Sequence, residues 1–171
     1  MRKIQELSPQ ESFLKVRELI KGKAVLRKKD LIPGNLIFTF YDAKYPEFTY
    51  DRTPMVLILG SNKFHTLGLN FHWIPTSMRM NLIYHIIKIN RKNIEANKPI
   101  EFEYRQLKPM LKALGYAPCI RLYINKRFAK KGVIIPPPRL VEVARLKTET
   151  FTKGKYSAQQ LFKMARKKGK Q

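Results

Sequence analysis

The chain has 171 residues, of which 44% are hydrophobic, and this suits one compact domain with a sizeable core and excludes a disordered tail. Its 35 Lys and Arg against 12 Asp and Glu give a formal net charge of +23, which favours nucleic acid as a partner, with an anionic membrane surface as the weaker alternative. The single cysteine, Cys119, excludes an internal disulfide, and the short apolar runs lead us to expect neither a signal peptide nor a membrane span.

Residues 1–32 are predicted to form an N-terminal helix and a basic connector. Ser8, Pro9 and Glu11 match an N-cap, a first-turn proline and the return partner of a capping box. Apolar side chains then recur on one face until Gly22, a natural helix terminator. The connector KGKAVLRKKD that follows is either a solvated link or a segment that contacts phosphates, and the sequence leaves both readings open.

Residues 33–152 are predicted to form the core domain, which begins with three strands. NLIFTFY (35–41), PMVLILG (54–60) and FHTLGLNFHWI (64–74) are aromatic and aliphatic runs bounded by turn residues. The dozen residues between the first two runs are too many for a tight hairpin, so we expect a loop that packs its own tyrosines on the mouth of a small barrel.

Four residues around these strands are expected to have structural roles. Asp51 is expected to cap a turn, and Pro54 to fix the entry into the second strand. Gly68 and Asn70 are expected to mark a bulge or sharp bend where the third strand curves, and a positive φ at Gly68 would make a β-branched residue there strained. The carboxylates of the loop are therefore interpreted as structural and not catalytic.

Helical periodicity begins at Thr76 and predicts a helix over about 77–92, followed by a shorter one over about 105–114 that Gly115 closes. CIRLYI (119–124) is predicted to be a strand or a buried extended segment. Three prolines at 136–138 predict a connector, and LVEVARL (140–146) after them is predicted to be the last strand. The predicted fold class is therefore α+β: a small, strongly bent antiparallel β-barrel of about five strands with flanking helices and a basic C-terminal helical arm.

Residues 153–171 form the predicted arm, which carries seven basic side chains and no acid. Ser157 and Gln160 match a second capping box, and a helix without acids at this end of the chain is typical of a segment that binds polyanion. The predicted nucleic-acid contacts in the arm are Lys153, Lys155, Lys163, Arg166, Lys167 and Lys168.

A second group of candidate contacts lies in the core domain. Basic side chains are interleaved with Tyr123 and Phe128, a pattern typical of base stacking plus phosphate contact on single strands or ends. The same pattern arises when the rings lie in the core and the charges are solvated, and the sequence does not separate the two. The predicted contacts here are Arg121, Lys126, Arg127, Lys130 and Lys131.

The sequence gives little support for an enzyme. His65, His72 and His85 have no metal-pair spacing, and Asp42 and Asp51 lack the partner carboxylate and strand lysine of a magnesium nuclease. VLILGSNKF lacks the second glycine and the Lys-Ser or Lys-Thr pair of a phosphate loop, and Cys119 is interpreted as a small buried apolar residue. We therefore expect no catalytic residue, no metal, no cofactor and no small-molecule substrate.

The motifs, taken in order, resemble the DNA end protector family of T-even-type tailed phages. PGNLIFTFYDAK, YDRTPMVLILG, LGLNFHWIP, APCIRLYI and VARLKTETFTKG follow one another within residues 31–171, and the Leu-Gly-Leu-Asn element is the most specific of them. The residues at the matching positions are Tyr50, Asp51, Pro54, Leu67, Gly68, Leu69, Asn70, Phe71, His72 and Trp73.

The resemblance implies a non-enzymatic, DNA-binding virion or packaging protein, assembled in the host cytoplasm, that holds or protects the end of the packaged genome near the head-to-tail junction. It implies double-stranded DNA or DNA ends as partner, together with virion proteins of the portal or neck. Two alternatives stay open. One is a structural neck or connector component that binds an acidic protein ring, and the other is an RNA- or ribosome-associated basic protein.

Overall fold

The computed structural model of the chain describes residues 14, 18, 25–42, 53–74, 76–96, 98, 100–101 and 104–145. These residues form a five-stranded antiparallel sheet with helices packed against it, which confirms the α+β class. Of the predicted N-terminal helix, Leu14 and Glu18 are described, and both are helical and exposed. The predicted C-terminal arm, like Tyr50 and Asp51, lies outside the described residues.

The sheet has the strand order β4-β3-β2-β1-β5, and every neighbouring pair is antiparallel. The first four strands lie where the sequence predicts them, although the third ends at Asn70 and passes into a 3-10 turn, Phe71–Trp73. The strands are β1 (Leu36–Tyr41), β2 (Met55–Ser61), β3 (His65–Asn70), β4 (Ile120–Ile124) and β5 (Phe128–Ile135).

The sheet is not closed into a barrel, so that part of the predicted fold is wrong. Strands β4 and β5 are its two edges, and no ladder of backbone hydrogen bonds joins them within the described residues. A 3-10 turn of three residues, Asn125–Arg127, connects these edges, so the sheet must bend until they approach each other. Side chains rather than backbone hydrogen bonds fill the remaining gap.

The helices of the described part are α1 (Thr76–Ile89), α2 (Arg91–Glu95), α3 (Tyr104–Ala113) and α4 (Leu140–Ala144). None of them is long and apolar enough to cross a membrane. Helix α3 ends as predicted, because Gly115 adopts a φ of 73° and its N–H donates to the carbonyl of Lys112. The N–H of Tyr116 donates to the carbonyl of Leu111 at 2.7 Å, which completes a Schellman cap.

The segment 140–146 was predicted to be the last strand, and this prediction is wrong because its residues Leu140–Ala144 form helix α4. Pro137 begins a 3-10 turn that leads into α4, and proline is well suited to a first helical position because its φ is already helical. The carboxylate of Glu142 accepts two hydrogen bonds from Arg139, at 2.7 and 2.8 Å, an i,i+3 contact that a helical turn favours. The fifth strand is instead β5, which Pro136 ends.

The main core lies on the face of the sheet that the helices cover. Alternate strand residues such as Phe38 and Leu57 point to this face, where they pack with Leu82 and Ile86 of α1 and Leu107 of α3. Each of these five side chains is at most 1% exposed. The apolar side chains on one face of the strands therefore pack with those on one face of α1 and α3, and together they form one apolar layer.

The opposite face has a smaller core, built from Ile37, Val56 and Ile58 and covered by Leu26 and Leu31 of the connector. Gly68 lies on this face opposite Ile58, and its φ is not positive, so the condition for backbone strain at this position is not met. The glycine is required for space instead, because a Cβ at this position would overlap Cγ1 of Val56.

A register shift between Ile58 and Gly60 shows that the bulge predicted near Gly68 lies on the neighbouring strand, where β2 carries the extra residue. The predicted bend at Asn70 is present, because its side-chain oxygen accepts a hydrogen bond from the N–H of His72 at 2.9 Å as β3 turns into the 3-10 helix. Pro54 is buried directly before β2, and its carbonyl accepts from the N–H of Thr39.

Candidate nucleic-acid interface

The turn Asn125–Arg127 is held in place by buried polar groups. The side chain of Asn125 donates to the carbonyl of Asn62 at 2.8 Å and accepts from the hydroxyl of Thr66 at 2.7 Å. Its backbone N–H donates to the carbonyl of Phe64 at 2.9 Å. Because three hydrogen bonds fix one residue, the turn has a defined position relative to the β2–β3 hairpin.

Three aromatic rings close the gap between the edges of the bent sheet. Tyr41 of β1 contacts Tyr123 of β4 and Phe128 of β5, with ring centroids 5.1 and 5.2 Å apart, and the latter two rings are 5.3 Å apart. The hydroxyl of Tyr41 also accepts a hydrogen bond from the N–H of Ile124 at 3.2 Å. The tyrosines of the predicted loop lie outside the described residues, so their packing stays a prediction.

The cluster bears on the stacking role considered for Tyr123 and Phe128. Tyr123 is 5% exposed and Phe128 is half-buried, and each ring already contacts two others. A nucleic-acid base needs an open ring face on which to stack. The structure therefore favours a core role for Tyr123 and Phe128, while phosphate contact by the nearby cations stays a prediction.

The basic connector meets strand β5 through a backbone hydrogen bond, 2.9 Å long, from the N–H of Leu26 to the carbonyl of Lys130. The side chain of Leu26 packs toward Gly132, where a Cβ would lie 3.2 Å from Cβ of Leu26. This contact brings the lysines of the connector beside those of β5. Six exposed cations lie in the connector, in the turn Asn125–Arg127 and in the edge strand β5, and we refer to them as the basic edge: Arg27, Lys28, Lys29, Lys126, Lys130 and Lys131.

Acidic groups lie at two positions next to the basic edge. The carboxylate of Asp30 accepts a hydrogen bond from the backbone N–H of Arg27 at 2.7 Å, so it caps a 3-10 turn. Asp42 forms an ion pair with Arg127, in which Oδ2 and Nη1 are 3.3 Å apart. Arg127, a predicted DNA contact, is thus partly neutralised within the chain, whereas Lys126 beside it points into solvent.

Arg127 and Lys126 also line an open depression of about 590 Å³, together with Tyr41, Asp42 and Phe128. Its lining combines aromatic rings with side chains of both charges. The depression lies between the end of β1 and the turn that leads into β5, next to Lys126 of the basic edge.

Arg121, the remaining predicted contact in the core domain, lies apart from the basic edge on strand β4. Its guanidinium lies over the ring of Trp73, with Cζ 4.2 Å from the ring centroid, and the side chain is partly buried. Burial lowers the pKa of Arg121, while Tyr123 and Cys119 oppose that shift. A guanidinium remains charged under these conditions, and this one is held against the protein.

His72 and Cys119 are buried, whereas His65 is partly exposed and His85 is exposed. The ring of His72 is buried against the edge of Phe38, with centroids 5.8 Å apart, while His85 is exposed on α1. Cys119 is buried, its Sγ lies 3.5 Å from the carbonyl oxygen of Trp73, and burial raises its pKa to about 11. Within the described residues, no group of three or more His, Cys, Asp or Glu could hold a metal ion.

Sequence reasoning did not connect Lys28 and Lys29 with Lys130 and Lys131, because the two groups are a hundred residues apart in the chain. The sequence does contain one clue to this contact. Leu26 and Leu31 are apolar residues that flank the basic run, and they pack on the sheet and hold the run against it. Lys153 and the other basic residues of the arm lie outside the described residues, so their role stays a prediction.

The fold and the basic edge together define a small α+β protein with a cluster of exposed cations. Such a cluster is typical of proteins that contact polyanions. The family model described as Phage T4 terminal DNA protecting protein matches residues 8–165. The chain belongs to this family, and the resemblance drawn from its motifs is confirmed. A search of curated proteins finds no match, and neither does a search of solved structures.

Proposed function

We propose that the chain is a non-enzymatic virion protein that binds and protects the ends of the packaged phage genome near the head-to-tail junction. The family match over residues 8–165 carries this proposal, because the family is named for the protection of terminal DNA. The net charge of +23 supports it, since a polyanion would relieve the self-repulsion. The proposed partners are double-stranded DNA ends and, in the particle, portal or neck proteins.

The basic edge provides a means of holding the DNA backbone. From Lys126 to Lys131 an extended chain covers about 15 Å, and duplex DNA carries one negative charge per roughly 1.7 Å of its axis. Several phosphates therefore lie within reach of the six cations at once. Lysine contacts to phosphate read charge and not base edges, so binding should depend little on DNA sequence.

A nuclease assay tests the proposal directly. The protein is added to an end-labelled linear duplex together with an exonuclease that starts at ends, and to a closed circle of the same sequence together with an endonuclease. We expect the exonuclease to slow while the endonuclease does not. Equal protection of both substrates would mean general coating of DNA, and protection of neither would favour the neck-component alternative.

The arm is proposed to add phosphate contacts beyond the basic edge. Deletion of residues 153–171 removes seven positive charges, and if about half of them touch phosphates, the slope of log affinity against log salt becomes shallower by roughly 3. A titration of DNA binding at several salt concentrations measures this slope. Glutamine at Lys163, Arg166, Lys167 and Lys168 should reproduce most of the change, and glutamine at His65 should not. An unchanged affinity and slope would assign the arm to protein docking.

A further inference from the structure

The tip of the β2–β3 hairpin presents an aromatic ring to solvent. Phe64 is 63% exposed, the largest value for any aromatic side chain whose burial the structure describes. An apolar ring in water forgoes the stabilisation that burial would give it. A single exposed phenylalanine is common on protein surfaces, so its significance depends on how the ring is held and on what surrounds it.

The backbone around Phe64 is tightly fixed. The side-chain oxygen of Asn62 accepts hydrogen bonds from the N–H groups of both Phe64 and His65, each at 2.8 Å. The N–H of Asn62 donates to the carbonyl of His65, also at 2.8 Å. From the other side, Asn125 donates to the carbonyls of Asn62 and Phe64. The ring therefore stands on a preordered support, which lowers the entropy lost when it binds a partner.

Positive charge lies directly beside this ring. The ammonium of Lys63 lies over one face of the Phe64 ring, 5.5 Å from its centroid, so a base would stack on the opposite face of this 63% exposed side chain. Lys126 is exposed and follows Asn125, the residue that clamps the tip, so the basic edge begins next to the hairpin. An apolar flat surface flanked by cations is complementary to a flat apolar surface flanked by anions.

The end of a DNA duplex has that complementary form. Its terminal base pair exposes a π face that is covered everywhere else in the duplex, and the first phosphates lie at the rim of that face. An aromatic side chain stacks on any base, because every base has a π face, so such a contact is independent of sequence. It also distinguishes an end from the interior of a duplex, which contacts to phosphate alone do not achieve.

We propose that Phe64 stacks on the terminal base pair of a DNA end while Lys63 and Lys126 bind the phosphates beside it. This proposal rests on the proposed function and adds to it the element that recognises an end. The hairpin tip would cap the duplex, and the basic edge would follow the backbone away from it.

Two duplexes of the same sequence test the proposal, one with open blunt ends and one closed at both ends by covalent hairpin loops. Full-length wild-type protein should bind the open duplex more tightly. Phe64→Ala should weaken binding to the open duplex by about tenfold, the scale of one base–aromatic stacking contact, and leave binding to the closed duplex unchanged. A fluorescent base analogue at the terminal position should be quenched by wild-type protein and not by the variant.

Two variants serve as controls. Tyr84→Ala removes another exposed aromatic ring, 54% exposed on α1, and should change neither affinity. Phe64→Tyr keeps a stacking face and should retain the preference for open ends. A preference for open ends that survives Phe64→Ala would overturn the inference while leaving the proposed function intact, and an equal loss on both duplexes would also overturn it. Absence of DNA binding by the wild-type protein would overturn both.

Discussion

The helix-covered face of the sheet and the face that carries Leu26 differ in what fills them. On the first, large side chains such as Phe38 and Leu57 are completely buried by helices α1, α3 and α4. On the second, Gly68 and Gly132 leave no room for side chains, and a short connector and three rings cover the strands. Stability is therefore concentrated on the first face, while the connector on the second face positions the basic edge.

The largest expected effect is on stability at the helix-covered face. Phe38→Ala should lower the free energy of unfolding by about 3–5 kcal/mol, because the ring is 0% exposed and leaves a cavity among packed helices. Phe128→Ala, at a half-buried ring of the opposite face, should cost clearly less. Urea denaturation of the two variants measures both changes. Equal losses would show that the two faces contribute alike and would contradict the comparison.

A smaller effect is expected from close packing on the Leu26 face. Gly68→Ala should destabilise by about 1–3 kcal/mol, because the new Cβ overlaps Val56 and lies 3.3 Å from the ring of Tyr123. Gly60→Ala on the adjacent strand is the matched control, since no atom lies within 4 Å of a Cβ built there. Thermal melts should show a lower melting temperature for the first variant alone. Indistinguishable melting curves would mean that the glycine at 68 is incidental.

Charge on the basic edge should affect binding and not folding. Glutamine at Lys126, Lys130 and Lys131 should reduce the salt slope of DNA binding by up to about 3, near 0.9 for each phosphate that the protein no longer neutralises. Glutamine at Lys88, Lys92 and Lys112 removes the same charge from exposed helical positions and should change the slope much less. DNA titrations at several salt concentrations compare the two triple variants. Equal slopes would show that DNA binding depends on the total charge of the chain and not on where the charges lie.

The smallest effect concerns Cys119, under the helix-covered side. Burial raises its pKa to about 11 from an ordinary value of 9.0, so the folded state holds the thiol proton more tightly than the unfolded state. Its contribution to stability is complete below pH 9 and is lost as the pH rises toward 11. In Cys119→Ala, the decline of unfolding free energy between these pH values should be less steep than in the wild type. Identical slopes would show that the thiol does not titrate differently on folding.

Much of the fold could be predicted because local signals agreed with long-range packing. Strands β1 and β2 are apolar runs that are buried on both faces, and Gly115 supplied the positive φ that ends α3. The segment at 140–146 was predicted wrongly because its two valines favour a strand, although its apolar residues Leu140, Val141, Val143 and Ala144 have helical spacing. Packing of Leu140 against the main core supports the helix, and that contact is not visible in a local pattern.

The candidate site could be predicted only in part, for a similar reason. Lys126, Lys130 and Lys131 stood out by charge, but their junction with the connector depends on the hydrogen bond from Leu26 to Lys130. The roles of Tyr123 and Phe128 were ambiguous because burial, and not residue type, decides whether a ring can stack on a base. Contacts between distant parts of the chain carry this information.

The central claim, that the protein holds genome ends through its basic side, is tested most directly by protein–DNA crosslinking inside assembled particles. Each crosslinked peptide is identified, and each crosslinked nucleotide is located on the genome. We expect crosslinks at peptides that contain Lys63, Lys126, Lys130 or Lys131, and DNA positions confined to the ends of the genome. Crosslinks spread along the whole genome, or located mainly on helices α1 and α3, would contradict the account.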